Sequence, residues 1–281
     1  MAFHHLLMAL AVPVIWGMGL VFAKAALDFF PPILLVAFRF GVTALALVWF
    51  VKPPWHLMGK IMVIALVSVV IQYSFTFTAL KHLDASVTVL FIQVEVPILI
   101  LLGAVFLGER PSRRKLAGIA LTFIGVSLIA GDPQLKGAYQ PLFLLLIGVT
   151  TWAIGQVMIR QLGAVGGFTL IAWVAMLSTP QLFVASWVLE DNHWQLIREA
   201  NWVVWGTVVY LGLVMTALGY GIWYHLLGRY PVNQVAPFLL LLPVTSVIGS
   251  VVVLDETLSL PVAMGGAVVI AGVAFIVLEK T

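Results

Sequence analysis

Ten apolar stretches follow one another along this chain with little between them: 6–23, 31–51, 59–80, 85–107, 114–130, 140–160, 167–188, 202–226, 232–254 and 260–279. A helix needs about 20 apolar residues to cross a bilayer, so each run is of spanning length or close to it. Soluble domains carry about a quarter charged residues. Here 63% of residues are hydrophobic and 9% charged, which no soluble core could hide. The expectation is an all-α membrane protein with ten transmembrane helices, multi-pass in the cell membrane. The first run lacks a basic leader and a small-residue cleavage site, so it is expected to be retained as a span.

The stretch 72–129 returns at 219–276. Placing Glu109 over Glu256 puts Tyr73 on Tyr220, Gly118 on Gly265 and Gly125 on Gly272. A looser echo precedes each copy, Trp16 then Lys24 in the first half and Trp152 then Arg160 in the second. The repeat predicts two units, 1–131 and 132–281, with five spans each. Five is odd, so the second unit must run upside down relative to the first. Inverted duplication points to a secondary transporter built around a central cavity.

Alternate loops carry unequal positive charge. With a cytoplasmic N-terminus the inside receives Lys52, Lys60, Arg110, Arg113, Arg114, Lys115, Arg160, Arg229 and Lys280, and the outside Lys24, Lys81, Lys136 and Arg198. That bias predicts both termini in the cytoplasm. Trp49, Trp55, Trp187, Trp194, Trp202 and Trp205 fall at predicted membrane edges and read as an interfacial belt, and 190–201 reads as a solvated loop.

Arg39 and Glu95 fall well inside apolar runs. Counted along their helices at roughly 1.5 Å per residue, Arg39 lies about 12 Å deep and Glu95 about 15 Å. Equal depth suits a fixed ion pair between the second and fourth spans. The alternative is a direct role with substrate or protons, because ionisable groups in membranes usually face the protein interior or a water path. Gln93 lies two residues from Glu95, hence about 200° around a regular helix and on another face. Trp16 and Trp152 sit too deep for a belt, and each begins a half. They either pack helices or form opposite walls of one cavity, where an indole stacks on aromatic ligands or attracts an ammonium group. Gln156 lies one turn beyond Trp152, and Thr216, Tyr220 and Trp223 form a stripe in the eighth span, with Tyr73 the repeat mate of Tyr220. His225 near a membrane edge reads as a capping residue or a proton relay. Pro13, Pro97, Pro180, Pro237 and Pro243 interrupt spans at depth, each removing a helical N–H and expected to kink or hinge its helix. Ala263, Ala267 and Ala271 in the tenth span, and Gly118, Thr122 and Gly125 in the fifth, form small-residue stripes that let membrane helices approach.

Several chemistries are not supported. There is no cysteine, so no disulfide or thiolate metal site, and the histidines show no ligand spacing. No metal or cofactor is expected. The formal charge of +3 is small and dispersed, which does not suggest nucleic acid as a partner. Phosphate-binding glycine loops, His-Glu-x-x-His and magnesium-binding acid clusters are missing from the sequence, so an enzyme is not expected.

The segments Thr78-Ala79-Leu80-Lys81-His82-Leu83, Ala85-Ser86, Pro97, and Leu107-Gly108-Glu109-Arg110 followed by Gly118 and Gly125, resemble the EamA-type repeat of the drug/metabolite transporter superfamily. The second copy, with Tyr224 to Tyr230, Pro243, Asp255-Glu256 and Gly265 to Gly272, looks like the same repeat. Within that superfamily the chain looks most like the YddG-type aromatic amino acid exporters. The family repeat usually places Glu directly before Pro in the fourth helix. Here Val96 separates Glu95 from Pro97, and the second copy has Leu242 before Pro243. The resemblance implies ten helices around a central pathway and export of small metabolites by alternating access. Amino acids with aromatic or large apolar side chains are the expected substrates, with nucleosides, purines or cationic drugs as the alternative. The residues expected at the pathway are Trp16, Tyr73, Gln93, Trp152, Gln156, Tyr220 and Trp223.

Overall fold

The computed structural model describes residues 1–106, 108, 110–163, 165–227, 229–230 and 232–278. Leu107, Glu109 and Lys280, which entered the repeat and the charge count, lie outside them. Among the described residues the chain is helical throughout. The helices are α1 (Phe3–Ala26), α2 (Pro32–Leu47, with a 3-10 extension to Phe50), α3 (Trp55–His82), α4 (Ala85–Phe106), α5 (Arg113–Ala130) and α6 (Tyr139–Leu162). They continue as α7 (Gly167–Leu189), α8 (Trp202–Leu227), α9 (Val232–Val253) and α10 (Leu260–Val277). Eight are long and apolar enough to span a membrane by length and composition alone. The other two have local reasons for falling short. α5 opens on Arg113, Arg114 and Lys115, and α9 is interrupted near its start.

The packing has two-fold symmetry. α1 packs on α8 and α9, while α6, its counterpart, packs on α3 and α4; α2 pairs with α7, α4 with α9 and α5 with α10. The α5–α10 crossing fixes the sense of that symmetry. A Cβ on Gly118 would lie 2.7 Å from Gly272 O, and one on Gly125 would lie 2.7 Å from Gly265 O. As one index rises the other falls, so two equivalent helices cross antiparallel through equivalent glycines. The contact is self-complementary, as two-fold symmetry demands. The halves are therefore inverted. Ser112 and Ser259 begin α5 and α10 alike, their hydroxyls accepting from Lys115 N and Val262 N. The alanine stripe does not pack against this partner: Ala263, Ala267 and Ala271 are exposed, while Gly265, Val269, Gly272 and Ile276 form the buried face.

Two irregularities recur in both halves. α3 has a π-helical stretch at Leu66–Ile71, and α8 has one at Tyr210–Leu218, each just before its repeated tyrosine. α4 breaks at Gln93–Val94 before helix resumes at Glu95–Phe106, and α9 passes through a 3-10 stretch at Ala236–Leu240 before resuming at Leu241–Val253. Pro97 and Pro243 each occupy the first turn of the resumed segment. There the missing N–H costs nothing, but the ring crowds the carbonyl four residues back, which is Gln93 in α4 and Leu239 in α9. Because α4 is not regular here, the angle of about 200° expected between Gln93 and Glu95 does not apply.

The end of the bundle away from the termini is laced across the two halves. α2 and α4 begin without a side-chain cap of their own, which leaves N–H groups to satisfy. Glu190 accepts from Ile33 N at 2.7 Å and Leu34 N at 3.0 Å, so 190–201 is not simply a solvated loop. Glu256 accepts from Ala85 N at 2.6 Å, Ser86 N at 3.0 Å and Ser86 Oγ at 2.7 Å. Lys24 Nζ donates to Leu80 O and Lys81 O at the end of α3, so the α3–α4 turn is held from both sides. Within that turn, burial and the neighbouring Glu256 raise the Asp84 carboxyl above its ordinary range, with Lys24 opposing. The loop is further ordered by a short helix, His193–Glu199. Of the expected belt, Trp49, Trp55, Trp187, Trp194 and Trp202 are exposed, but Trp205 packs edge-on against Phe30 and Phe38.

Candidate functional site

Arg39, Thr43, Tyr73 and Thr216 gather where α2 meets the irregular helices α3 and α8. Arg39 is fully buried on α2, brought close to α8 by Gly212. A Cβ on Gly212 would come within 2.8 Å of Arg39 O. Thr43 tightens the same contact, donating to Gly212 O at 2.9 Å. The Arg39 guanidinium donates from Nε to Thr216 Oγ1 at 2.9 Å and from Nη2 to the Tyr73 hydroxyl at 3.5 Å. Its flat face lies over the Tyr73 ring, 4.8 Å from the centroid, with Phe40 at 5.3 Å. Nη1 is buried and has no hydrogen-bond partner among the described residues. Thr216 is held in turn by Leu211 O, five residues back, which is the register of the π stretch that carries both.

A second group adjoins it one turn along α8. Trp16 and Trp152 are each the fourteenth residue of a 24-residue helix, so both sit at mid-length. Trp16 Nε1 donates to Met215 O at 3.0 Å, within the π stretch. Its ring lies 5.0 Å from Tyr220 and 6.0 Å from Trp223. Gly219 makes this possible, since a Cβ there would collide with the indole. Trp16, Tyr220 and Trp223 are all half-buried, so the cluster is packed yet partly open.

Other expected residues are not drawn in. Trp152 and Gln156 are half-buried on α6, and Trp152 has no ring contact or hydrogen bond among the described residues. Gln93 is buried at the break in α4, and Pro237 lies in the 3-10 stretch of α9. The expected Arg39–Glu95 ion pair is not formed. Glu95 is half-buried and makes no hydrogen bond or ion pair with a described residue, while Arg39 turns toward α3 and α8. Equal depth says nothing of which neighbours a side chain meets, and Arg39 is taken up by Thr216 and Tyr73. His225 lies in the last turn of α8, where its Nδ1 is 2.9 Å from Arg229 Nη1. Sequence reasoning did not anticipate the role of Met215 and Gly219, or the π stretches themselves. The duplicated tyrosines were the available signal. No group of acids and histidines among the described residues could hold a metal.

Two inverted five-helix halves with interrupted helices, and aromatic and charged side chains gathered beside the interruptions, give the architecture of a membrane transporter. Comparison with known proteins gives the family. The chain belongs to the EamA-like transporter family, which matches at residues 5–131 and again at 140–278. A protein of Salmonella typhimurium named "Probable amino-acid metabolite efflux pump" is 33% identical over 94% of this chain and 92% of its own length. One of the same name from Escherichia coli is 31% identical over the same shares. A solved crystal structure superposes with a TM-score of 0.68 over 97% of this chain and 95% of its own, at 18% identity, which speaks to fold alone. This is a multi-pass membrane transporter, and not an enzyme.

Proposed function

We propose that the protein exports amino acids, with a preference for aromatic and large apolar side chains, by alternating access. The observation that carries this reading is the half-open aromatic cluster of Trp16, Tyr220 and Trp223, one turn from Arg39 and Thr216, on a π-distorted helix. π distortions often mark functional sites. The names of the relatives from Salmonella and Escherichia favour amino acids over nucleosides or cationic drugs. The two units of the transporter are 1–131 and 132–281, with Trp152, Gln156 and Gln93 on the opposite side of the pathway. Proteoliposomes loaded with labelled tryptophan, phenylalanine, leucine, adenosine or a quaternary ammonium dye decide the matter. Release of tryptophan and phenylalanine faster than leucine, and of leucine faster than the last two, is expected. Preferential release of adenosine or dye overturns the reading, and comparing each with and without a pH gradient separates coupled from downhill movement.

The positive charge bias supports both termini in the cytoplasm, and the end laced by Glu190 and Glu256 then faces outward. The chain has no cysteine, so single cysteines report cleanly. A cysteine replacing the exposed Lys60 should react with an impermeant maleimide only after cells are opened. One replacing the exposed Lys136 should react in intact cells. The reverse pattern would invert the topology.

A further inference from the structure

Arg39 and Glu95 are two buried or half-buried ionisable groups that do not meet, and neither is required by the duplicated scaffold. At the Trp16-to-Trp152 spacing Arg39 falls on Ala175, and at the Tyr73-to-Tyr220 spacing Glu95 falls on Leu242. The glycines, capping serines, prolines and π stretches occur in both halves; these charges occur in one. An isolated charge in a low-dielectric interior is costly unless something of opposite sign joins it. Arg39 has only neutral oxygens around it, from Thr216 and Tyr73, and its Nη1 has no partner among the described residues. Glu95 stands at the break in α4 with no partner at all among them.

We propose that Arg39 and Glu95 are the two poles of a zwitterion site, with Arg39 receiving the α-carboxylate of the substrate and Glu95 its α-ammonium group. This rests on the reading of the protein as an amino acid exporter and names how that site recognises its substrate class. A guanidinium offers a planar fork of donors that matches a carboxylate with two parallel hydrogen bonds. Nε is already fixed by Thr216, which leaves the Nη edge for the ligand. A bound zwitterion brings one charge of each sign, so both isolated charges are compensated together. Neither an amine nor an acid alone can do this. The substrate side chain then extends along α8, where Tyr220 follows Thr216 by one turn and stacks with Trp16.

Tyr73 covers the guanidinium face and directly follows the π stretch of α3.

The test uses the full protein in proteoliposomes, with labelled tryptophan counterflow competed by unlabelled tryptophan, tryptamine or indole-3-propionate. In the wild type, tryptophan should compete at least tenfold better than either analogue. In Arg39→Lys the preference for tryptophan over tryptamine should fall several-fold, and in Arg39→Met it should vanish. In Glu95→Gln the preference over indole-3-propionate should vanish while that over tryptamine persists. Detergent melting identifies variants that fail to fold. If Arg39→Met is one, Arg39→Lys, Glu95→Gln and the wild-type panel still decide. Wild-type protein that takes tryptamine as well as tryptophan overturns the proposal, and so do variants that weaken all three competitors equally. Absence of tryptophan counterflow with transport of another class would instead overturn the amino acid reading itself.

Discussion

Gly125→Leu is expected to abolish cooperative folding in detergent at temperatures where the wild type is stable. Helices in a bilayer gain little from hydrophobic burial against each other, so association depends on close van der Waals packing at small residues. At this crossing a Cβ on residue 125 would sit 2.7 Å from both Gly265 O and Val269 N. Those atoms are backbone and cannot step aside as a side-chain tip can. Relief requires α5 and α10 to separate, so the cost lies at or beyond the upper end of the ~1–3 kcal/mol typical of overpacking. Gly118→Leu should behave likewise through Gly272. The control is Gly206→Ala, where a Cβ meets nothing within 4 Å. Replacing an exposed helical glycine by alanine gains about 0.5–1 kcal/mol, so that variant should melt at or slightly above the wild type. If Gly125→Leu melts with the wild type, the crossing does not hold the halves together.

That crossing also shows how far the sequence reached. Gly118 and Gly125 had mates at the same spacing in Gly265 and Gly272, and the duplication alone pointed to those four positions. The alanine stripe at 263, 267 and 271 had an equally good period, yet it faces outward. A period within one helix cannot say which stripe is buried, whereas a period shared with a repeat partner can. Pro97 and Pro243 fall at the breaks in α4 and α9, but Pro13 and Pro180 sit inside α1 and α7, which run on as α-helix from 3 to 26 and from 167 to 189, so a proline marked a break in only some of the spans that carry one. The π stretches left no such mark. They insert a register shift that neighbouring helices stabilise, through contacts such as Trp16 to Met215 O and Arg39 to Thr216. Glu190 was hidden for a related reason. Its polar neighbours suggest solvent, but its carboxylate satisfies the start of α2, 157 residues away in the chain. The prolines at 31 and 32 offered a clue, since a helix that opens without Ser, Thr, Asp or Asn needs its cap from elsewhere.

Trp16→Ala is expected to lose both stability and substrate preference, while Trp152→Ala loses preference with little change in stability. The two indoles are equivalent by position but not by contact. Trp16 gives up a hydrogen bond to Met215 O and two ring contacts, with Tyr220 at 5.0 Å and Trp223 at 6.0 Å. Large-to-small changes at packed aromatic sites cost about 3–5 kcal/mol in soluble cores. Part of that is transfer from water and falls away in a bilayer, so about 2–3 kcal/mol is the expected loss. Trp152 has no such ties among the described residues, and its truncation should shift the melting temperature far less. Trp16→Phe separates packing from chemistry. It keeps a ring against Tyr220, loses a hydrogen bond of about 1 kcal/mol, and should remain folded. Ring pairs add roughly 0.5–1.5 kcal/mol beyond burial, enough to bias binding several-fold between aromatic and aliphatic ligands. In cells challenged with toxic aromatic and aliphatic amino acid analogues at equal expression, Trp152→Ala should therefore lose protection against the aromatic ones first, whereas Trp16→Phe, which keeps a ring, should hold most of it. Equal loss for every analogue would show that the indoles pack helices and nothing more. Unchanged protection in Trp152→Ala, together with a loss in Trp16→Ala that Trp16→Phe restores, would confine substrate contact to the α1–α8 side of the bundle.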